Sequence, residues 1–496
     1  MTSISIDAGT TAIKAVAHGD DGTELAVVRG AVGVQRPRTG WAEQDMAEVW
    51  RETAAVVREA ARHLPGPPDM IALTAQGDGC WLVDADGAPT GPAVLWSDGR
   101  AASIVDRWRD AGILDEAFRA NGSLTFPGLP NAVLAWLAEH DPDRLDRSHA
   151  ALTCGGWVFH NLTGRFAADE SDASSPFLDP ATRDYAPHLV ELFGLSRAAR
   201  LLPQVLGDGA RAAALRPEAA AALGLPAGVP VVMAPYDVAS TAIGAGAATA
   251  GTGCAILGTT LCTEIVRAGT DTTGEPAGLT VALDSASDPA GQWLRVYPTL
   301  AGTEVIDWAT SILGLDTPEE LGDLAELAPP GAGGLVFLPY LSPAGERAPF
   351  LDTAARGTFW GLTLEHDREH LARAVFEGLS LTIKDCLAAS GAAVEELRLC
   401  GGGAGSDLWC RMIADATGVP AVRTADTEIG AKGAFLSGLV ATGAEPDLAT
   451  AAAKYVRPGD RFEPEDAAVY DDLYAQFLAL RDVARAGWRV QAGRRG

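Results

Sequence analysis

Positive charge is scarce in this chain, paired-cysteine patterns and long apolar runs are missing, and each shortage removes a class of function. The 65 Asp and Glu residues outnumber 38 Lys and Arg, which leaves a formal net charge of −27. A surface of that sign repels phosphodiester backbones and anionic headgroups, so neither nucleic acid nor membrane is an expected partner. The cysteines Cys80, Cys154, Cys254, Cys262, Cys386, Cys400 and Cys410 are scattered, with no C-x-x-C and no histidine at metal spacing. That argues against a disulfide framework or a zinc site and for reduced, buried thiols in the cytoplasm. No uninterrupted run of about twenty apolar residues occurs. Strand-like sequence begins at Ile4, leaving no room for a secretory leader, so the glycosylation patterns at Asn121 and Asn161 carry no weight. The Walker pattern G-x-x-x-x-G-K-[ST] is also absent, which excludes a P-loop mechanism.

What the chain does have is a repeated turn. Gly9-Thr10-Thr11 and Gly258-Thr259-Thr260 each follow a short strand-like run and precede another. Strand, small-hydroxyl turn, strand makes a hairpin whose tip presents backbone N–H groups and hydroxyls to an anion. Two such tips, one per half, can face each other and hold a polyphosphate from both sides. With 496 residues and 47% hydrophobic composition the chain can bury two cores. Strands alternate with helical patterns throughout, so the expected class is α/β. The small-residue run from Ser240 to Gly253 reads as a crossover, which puts the boundary near 245 and gives domains 1–245 and 246–496. Thr317-Pro318-Glu319-Glu320 reads as a capping box, Asp367 as the cap of an apolar-faced helix, and the Ala-rich tail beyond 445 as helical.

Four stretches carry chemistry, each with a plainer alternative. Asp7 ends the strand before the first tip and can hold Mg²⁺ through water; alternatively it is the acidic flank of an ordinary turn. Asp237 follows the buried run Val229–Ala234 and can act as general base at a cleft floor; an aspartate before a helix is more often an N-cap. Gly401-Gly402-Gly403-Ala404-Gly405-Ser406-Asp407 links a strand to a helix and suits a flat base or a phosphate. It does not meet G-x-G-x-x-G, because Ser406 stands at the last glycine. Gln76-Gly77-Asp78-Gly79 and Leu95-Trp96-Ser97-Asp98-Gly99-Arg100 can grip a polyhydroxylated substrate, carboxylates to hydroxyls and the Trp96 indole against carbon; the alternative is hairpin chemistry with Trp96 in the core.

Over nearly its whole length the chain resembles the FGGY carbohydrate kinases. Gly357-x-Phe359-x-Gly361-Leu362, seven residues, then His370-Leu371-x-x-Ala374-Val375-Phe376-Glu377 fits the family's second signature at every defined position. Gly128-x-Pro130 and Trp136-Leu137-x-Glu139-His140 fit the first, with Val133 where a lysine is usual. The resemblance implies two ribonuclease-H-like domains of the actin and hexokinase type around a central catalytic cleft, closing on ATP, Mg²⁺ and a small sugar or polyol. It implies that Asp237 is the catalytic base, that Asp7, Gly9, Thr10 and Thr11 form the first phosphate loop and Gly258, Thr259 and Thr260 the second. Gly402, Gly403 and Asp407 match the stretch lining the adenosine, and Asp78 a position that touches substrate. Val238 replaces the Asn or Gln usual after the base. The segments at 40–45 and 95–100 are most similar to xylulokinases, whereas Gln-Gly-Asp-Gly and Tyr-Asp-Val are more similar to the L-xylulose and erythritol kinase branches. Gly77 removes a side chain and Asp78 adds an acceptor, which suits an open-chain polyol. A pentulose is the first expectation and a tetritol such as erythritol the second; glycerol is disfavoured because Gly77 replaces the arginine its kinases use. A catalytically silent sensor and a dinucleotide-dependent dehydrogenase are the readings from other classes. A homodimer is the default expectation for the assembly.

Overall fold

The computed structural model describes residues 1–207, 210–284 and 291–492. Two sheets dominate it, and they share a central plan. In the first half the sheet strands are β1 (Ser3–Ala8), β2 (Ala12–His18), β3 (Glu24–Ala31), β4 (Met70–Ala75), β5 (Ala212–Ala214) and β6 (Pro230–Met233), in spatial order β5-β6-β4-β1-β2-β3. In the second half they are β7 (Thr252–Leu257), β8 (Leu261–Ala268), β9 (Leu279–Asp284), β10 (Gln292–Pro298), β11 (Glu396–Cys400), β12 (Ala421–Thr424) and β13 (Pro458–Phe462), in order β9-β10-β8-β7-β11-β12-β13. Each sheet opens with an antiparallel hairpin, adds two parallel strands on one side and ends there in an antiparallel edge strand. The pattern β1-β2 recurs as β7-β8, so both Gly-Thr-Thr tips stand at equivalent places.

Helix α1 (Met46–Ala61) explains how one face of the first sheet is covered. Asp45 caps it by accepting from the Ala47 and Glu48 N–H groups, and Val49, Val56, Val57 and Ala60 fall on one buried stripe. They join Ile4, Ile6, Ile71 and Leu73 in one core. The opposite face of β1 and β4 is small: Ser3, Ser5 and Ala72 are buried there. It has to be, because a helix of the second half lies on it.

That helix is one of a pair at the junction: α2 (Asp237–Ala245), α3 (Arg368–Ala389), α4 (Asp407–Thr417), α5 (Ile429–Ala441) and α6 (Ala467–Ala492) follow in order, and α2 packs on α5. Glycines set the spacing. A Cβ on Gly244 would lie 1.9 Å from the Ile429 carbonyl oxygen, and one on Gly433 would lie 1.8 Å from that of Ser240. α5 also contacts β1 and β4, while α2 reaches β7 and β11, so each half's helix touches the other half's sheet.

Three local expectations change. The run from Ser240 is not a loose crossover; it stays helical to Ala245 and turns at Gly246, whose φ of 94° ends the helix. The tail beyond 445 contains strand β13, whose residues are largely exposed, so an edge strand of this kind shows no apolar alternation to read. The rest of the tail is helical as read, and in α6 Tyr470, Phe477 and Trp488 pack with Tyr340 and Phe350. Thr317 caps its helix through the Glu320 N–H, but the Glu320 carboxylate returns to Asp316 N–H rather than to Thr317, so the capping box is displaced by one residue. Asp367 precedes α3 as expected, with Leu371, Ala374, Val375, Leu379 and Ile383 in the second core.

Candidate active site

The register of the first hairpin sets Asp7 directly opposite Lys14, and their side chains meet at 3.5 Å. Lys14 also pairs with Glu428 at 3.1 Å, the residue that opens α5. Burial pushes the Asp7 carboxyl above its ordinary range, with Lys14 opposing. The tip above it is wired by side chains. Thr10 Oγ1 donates to Gln76 Oε1 at 2.8 Å and accepts from the Trp96 indole at 3.0 Å. Gln76 Nε2 donates to Gln44 Oε1 at 2.9 Å, and Gln44 Nε2 returns to the Thr10 carbonyl at 2.8 Å. This closed ring fixes the tip, together with the main-chain bond from Gly9 N–H to the Ala12 carbonyl at 3.0 Å. Trp96 is 38% exposed, so the core placement is not realised.

Asp237 is the first residue of α2, and its carboxylate accepts from the adjacent Val238 N–H at 2.8 Å. It therefore does not cap the helix. Burial is the main force raising its pKa to about 7; Asp7 and Asp78 add to the rise, while the Val238 and Gly77 N–H groups oppose it. Asp78 is held in the left-handed region at φ 57°, a conformation that costs energy for a non-glycine residue and clusters at functional sites. Its pKa is also raised to about 7 by burial, with Arg347 opposing. Among the described residues no hydrogen bond to its carboxylate is found.

Two expected substrate contacts are placed differently. The space vacated by Gly77 is filled by the Tyr236 ring: a Cβ there would lie 2.2 Å from Tyr236 Cδ2. Gly77 and Tyr236, two separate departures from the xylulokinase pattern, are one steric exchange. Asp98 has its acceptor capacity taken by Ala42 N–H at 2.6 Å, Arg100 N–H and Nε at 2.8 Å, and Arg100 Nη2 at 2.9 Å. It builds the turn that carries Trp96 and has no lone pair to spare for a sugar.

The second tip is braced by main chain. Thr303 N–H donates to the Gly258 carbonyl at 2.9 Å, and Leu261 N–H to that of Ala301 at 2.8 Å. Thr259 and Thr260 are exposed. Beside them lies a cavity of about 690 Å³ bordered by Gly258, Thr259, Gly402, Gly403 and Asp407. A Cβ on Gly403 would lie 2.4 Å from the Trp409 ring, so glycine is required for that turn to pack, whereas Gly402 opens onto free space. Asp407 is tied to Arg423 at 2.9 Å at the start of α4. Lys14, Glu428, Gln44 and Arg347 belong to the site and were not singled out from sequence. The cross-strand spacing of Asp7 and Lys14 around the tip is the one signal that could have found the lysine.

Models of the FGGY family of carbohydrate kinases match residues 2–244 with the N-terminal domain and 246–442 with the C-terminal domain. The chain belongs to that family. It is similar to the erythritol kinase of Brucella abortus, 35% identical across 98% of this chain and 96% of that protein. It is 31% identical to the L-xylulose/3-keto-L-gulonate kinase of Escherichia coli across 96% of each. The crystal structure of xylulose kinase from Rhodospirillum rubrum superposes with a TM-score of 0.89 at 28% identity, covering 99% of this chain and 100% of that one. The two-domain kinase fold follows, and the protein is a sugar or polyol kinase that uses ATP. No helix among the described residues is long and apolar enough to cross a membrane.

Proposed function

We propose that this FGGY kinase transfers the γ-phosphoryl group of ATP to a terminal hydroxyl of a short open-chain substrate, a pentulose of the xylulose type. The observation that carries the reading is Asp237, a cleft-facing carboxylate with a pKa raised to about 7, next to Asp7 and Asp78. A base with that pKa is about half ionised at neutral pH and basic enough to accept a proton as an alkoxide develops. The substrate hydroxyl loses its proton to Asp237 as its oxygen bonds to phosphorus, and the bond to the ADP oxygen breaks. N–H groups at the Gly9 and Gly258 tips face the charge that develops on the transferred group. Asp7 is an oxygen ligand suited to Mg²⁺, and among the described residues no cluster of three ligating side chains competes for the ion. Asp7 would hold Mg²⁺ through water, and the ion would supply positive charge beside the polyphosphate. Gly402, Gly403 and the 690 Å³ cavity would take the adenosine.

A tetritol is the second reading, favoured by the 35% identity to an erythritol kinase. ADP release with Mg-ATP over D- and L-xylulose, D- and L-ribulose, erythritol, threitol and glycerol separates the two. Asp237→Asn should lower turnover roughly 10²–10⁴-fold while the protein stays folded. Near-normal turnover in that variant would remove the assignment, and ATP binding without turnover of any substrate would favour a silent sensor.

A further inference from the structure

A cavity of about 620 Å³ lies between the halves, walled by Trp96, Phe126 and Gly128 from the first and by Leu300 and Arg347 from the second. Arg347 is anchored there. Its Nε donates to the Pro298 carbonyl at 2.7 Å, and its Cζ lies 5.5 Å from the Phe126 ring centroid. Glu346 holds the preceding backbone by accepting from the Leu300 N–H at 2.7 Å and the Arg347 N–H at 2.9 Å. With Nε spent, the outer guanidinium nitrogens remain as donors on the cavity side. Asp78 of the first half lies near this wall, since the N–H of the next residue, Gly79, donates to the carbonyl of Gly128, which borders the cavity, at 3.0 Å. The two charges influence each other, yet no ion pair of 4.0 Å or less joins them among the described residues. An acceptor in a strained backbone and an anchored donor thus stand on opposite halves within electrostatic reach of each other.

We propose that Arg347 is a specificity-determining residue which, together with Asp78, holds one hydroxyl of the substrate between the two halves and so selects neutral polyhydroxylated chains over sugar acids. This rests on the kinase reading above. A hydroxyl both donates and accepts, so it satisfies Asp78 and Arg347 at once. A carbonyl oxygen at that point can only accept and leaves Asp78 unpaired. A carboxylate is attracted by Arg347 but is repelled by Asp78 and by the nearby Asp237 and Asp7, and three like charges cost more than one cation returns. The contact needs both halves, so substrate also draws the cleft together.

The test is steady-state kinetics and calorimetric binding with erythritol, L-xylulose and erythronate for wild type, Arg347→Met, Arg347→Lys, Asp78→Asn and the double variant. Arg347→Met should raise the KM for the phosphorylated substrate about 10- to 100-fold. The KM for Mg-ATP should stay within about twofold, as expected when only sugar contacts are lost. Arg347→Lys should recover part of the loss, and it carries the test if Arg347→Met does not fold. The double variant should be little worse than the poorer single, because both residues hold one group. Asp78→Asn should narrow the preference for erythritol over erythronate. Unchanged sugar KM in Arg347→Met, or an equal rise for ATP, overturns the proposal while the kinase reading stands. If wild type phosphorylates nothing, the kinase reading fails. Calorimetry then decides this one: equal binding of erythritol or L-xylulose by wild type and Arg347→Met, or none by wild type, overturns it.

Discussion

In the first hairpin Asp7 stands opposite Lys14; in the second, the corresponding pair is Ile256 opposite Cys262. The first tip is held by a ring of side chains, Thr10, Gln76, Gln44 and Trp96, and the second by main-chain bonds from Leu261 and Thr303. The same tripeptide at the tip of the first hairpin of each sheet therefore does different work. One tip is built over a carboxylate and a lysine and adjoins the base; the other has the uncharged pair Ile256 and Cys262 at that place and adjoins the cavity assigned to adenosine. A motif supplies the turn, and its cross-strand neighbours supply the chemistry.

If that contrast holds, Asp7→Asn should have the largest effect, lowering kcat about 10²–10³-fold with a higher Mg²⁺ requirement. Cys262→Ser at the corresponding place should leave kcat within about twofold; equal losses in Mg²⁺ titrations would erase the distinction. The tips can act together only if α2 and α5 stay close. Gly433→Val should destabilise the fold by about 1–3 kcal/mol or more through overpacking, read as a lower Tm. A wild-type Tm would mean that the helices separate without cost. Thr10→Val breaks the side-chain ring and leaves polar partners unmet, so a loss of about 1–3 kcal/mol is expected. Thr259→Val, on an exposed tip, should change stability by less than about 0.5 kcal/mol and act on the KM for ATP instead.

The smallest effect concerns pH. Activity through Asp237 needs its carboxylate, so kcat/KM should rise with pH and level off above about 7. Stability runs the other way. Asp237 and Asp78 have folded-state pKa values raised from 3.8 to about 7, so their contribution is full below about pH 4, declines as pH rises and is flat above about 7. Asp237→Asn cannot ionise, so its Tm relative to wild type should be higher at pH 8 than at pH 5. A constant difference across that range would show that the carboxylate is not strained in the folded protein.

Much of this was legible along the chain, and the parts that were not share a cause. Hairpin tips, the strand ending before Asp237, the glycine turn at 401–405 and the two-domain plan depend on local dihedral preferences and apolar spacing, which neighbouring residues encode. The family signatures at 357–377 add the cleft and the kinase chemistry. Tertiary structure alone decided that Tyr236 fills the space of Gly77, that Asp98 is consumed by Ala42 and Arg100, and that α2 and α5 touch through Gly244 and Gly433. Each of these is a contact between residues far apart in sequence. Whether a carboxylate is spent or available depends on which distant donors the packing brings within hydrogen-bonding reach, and no local pattern of residues carries that information.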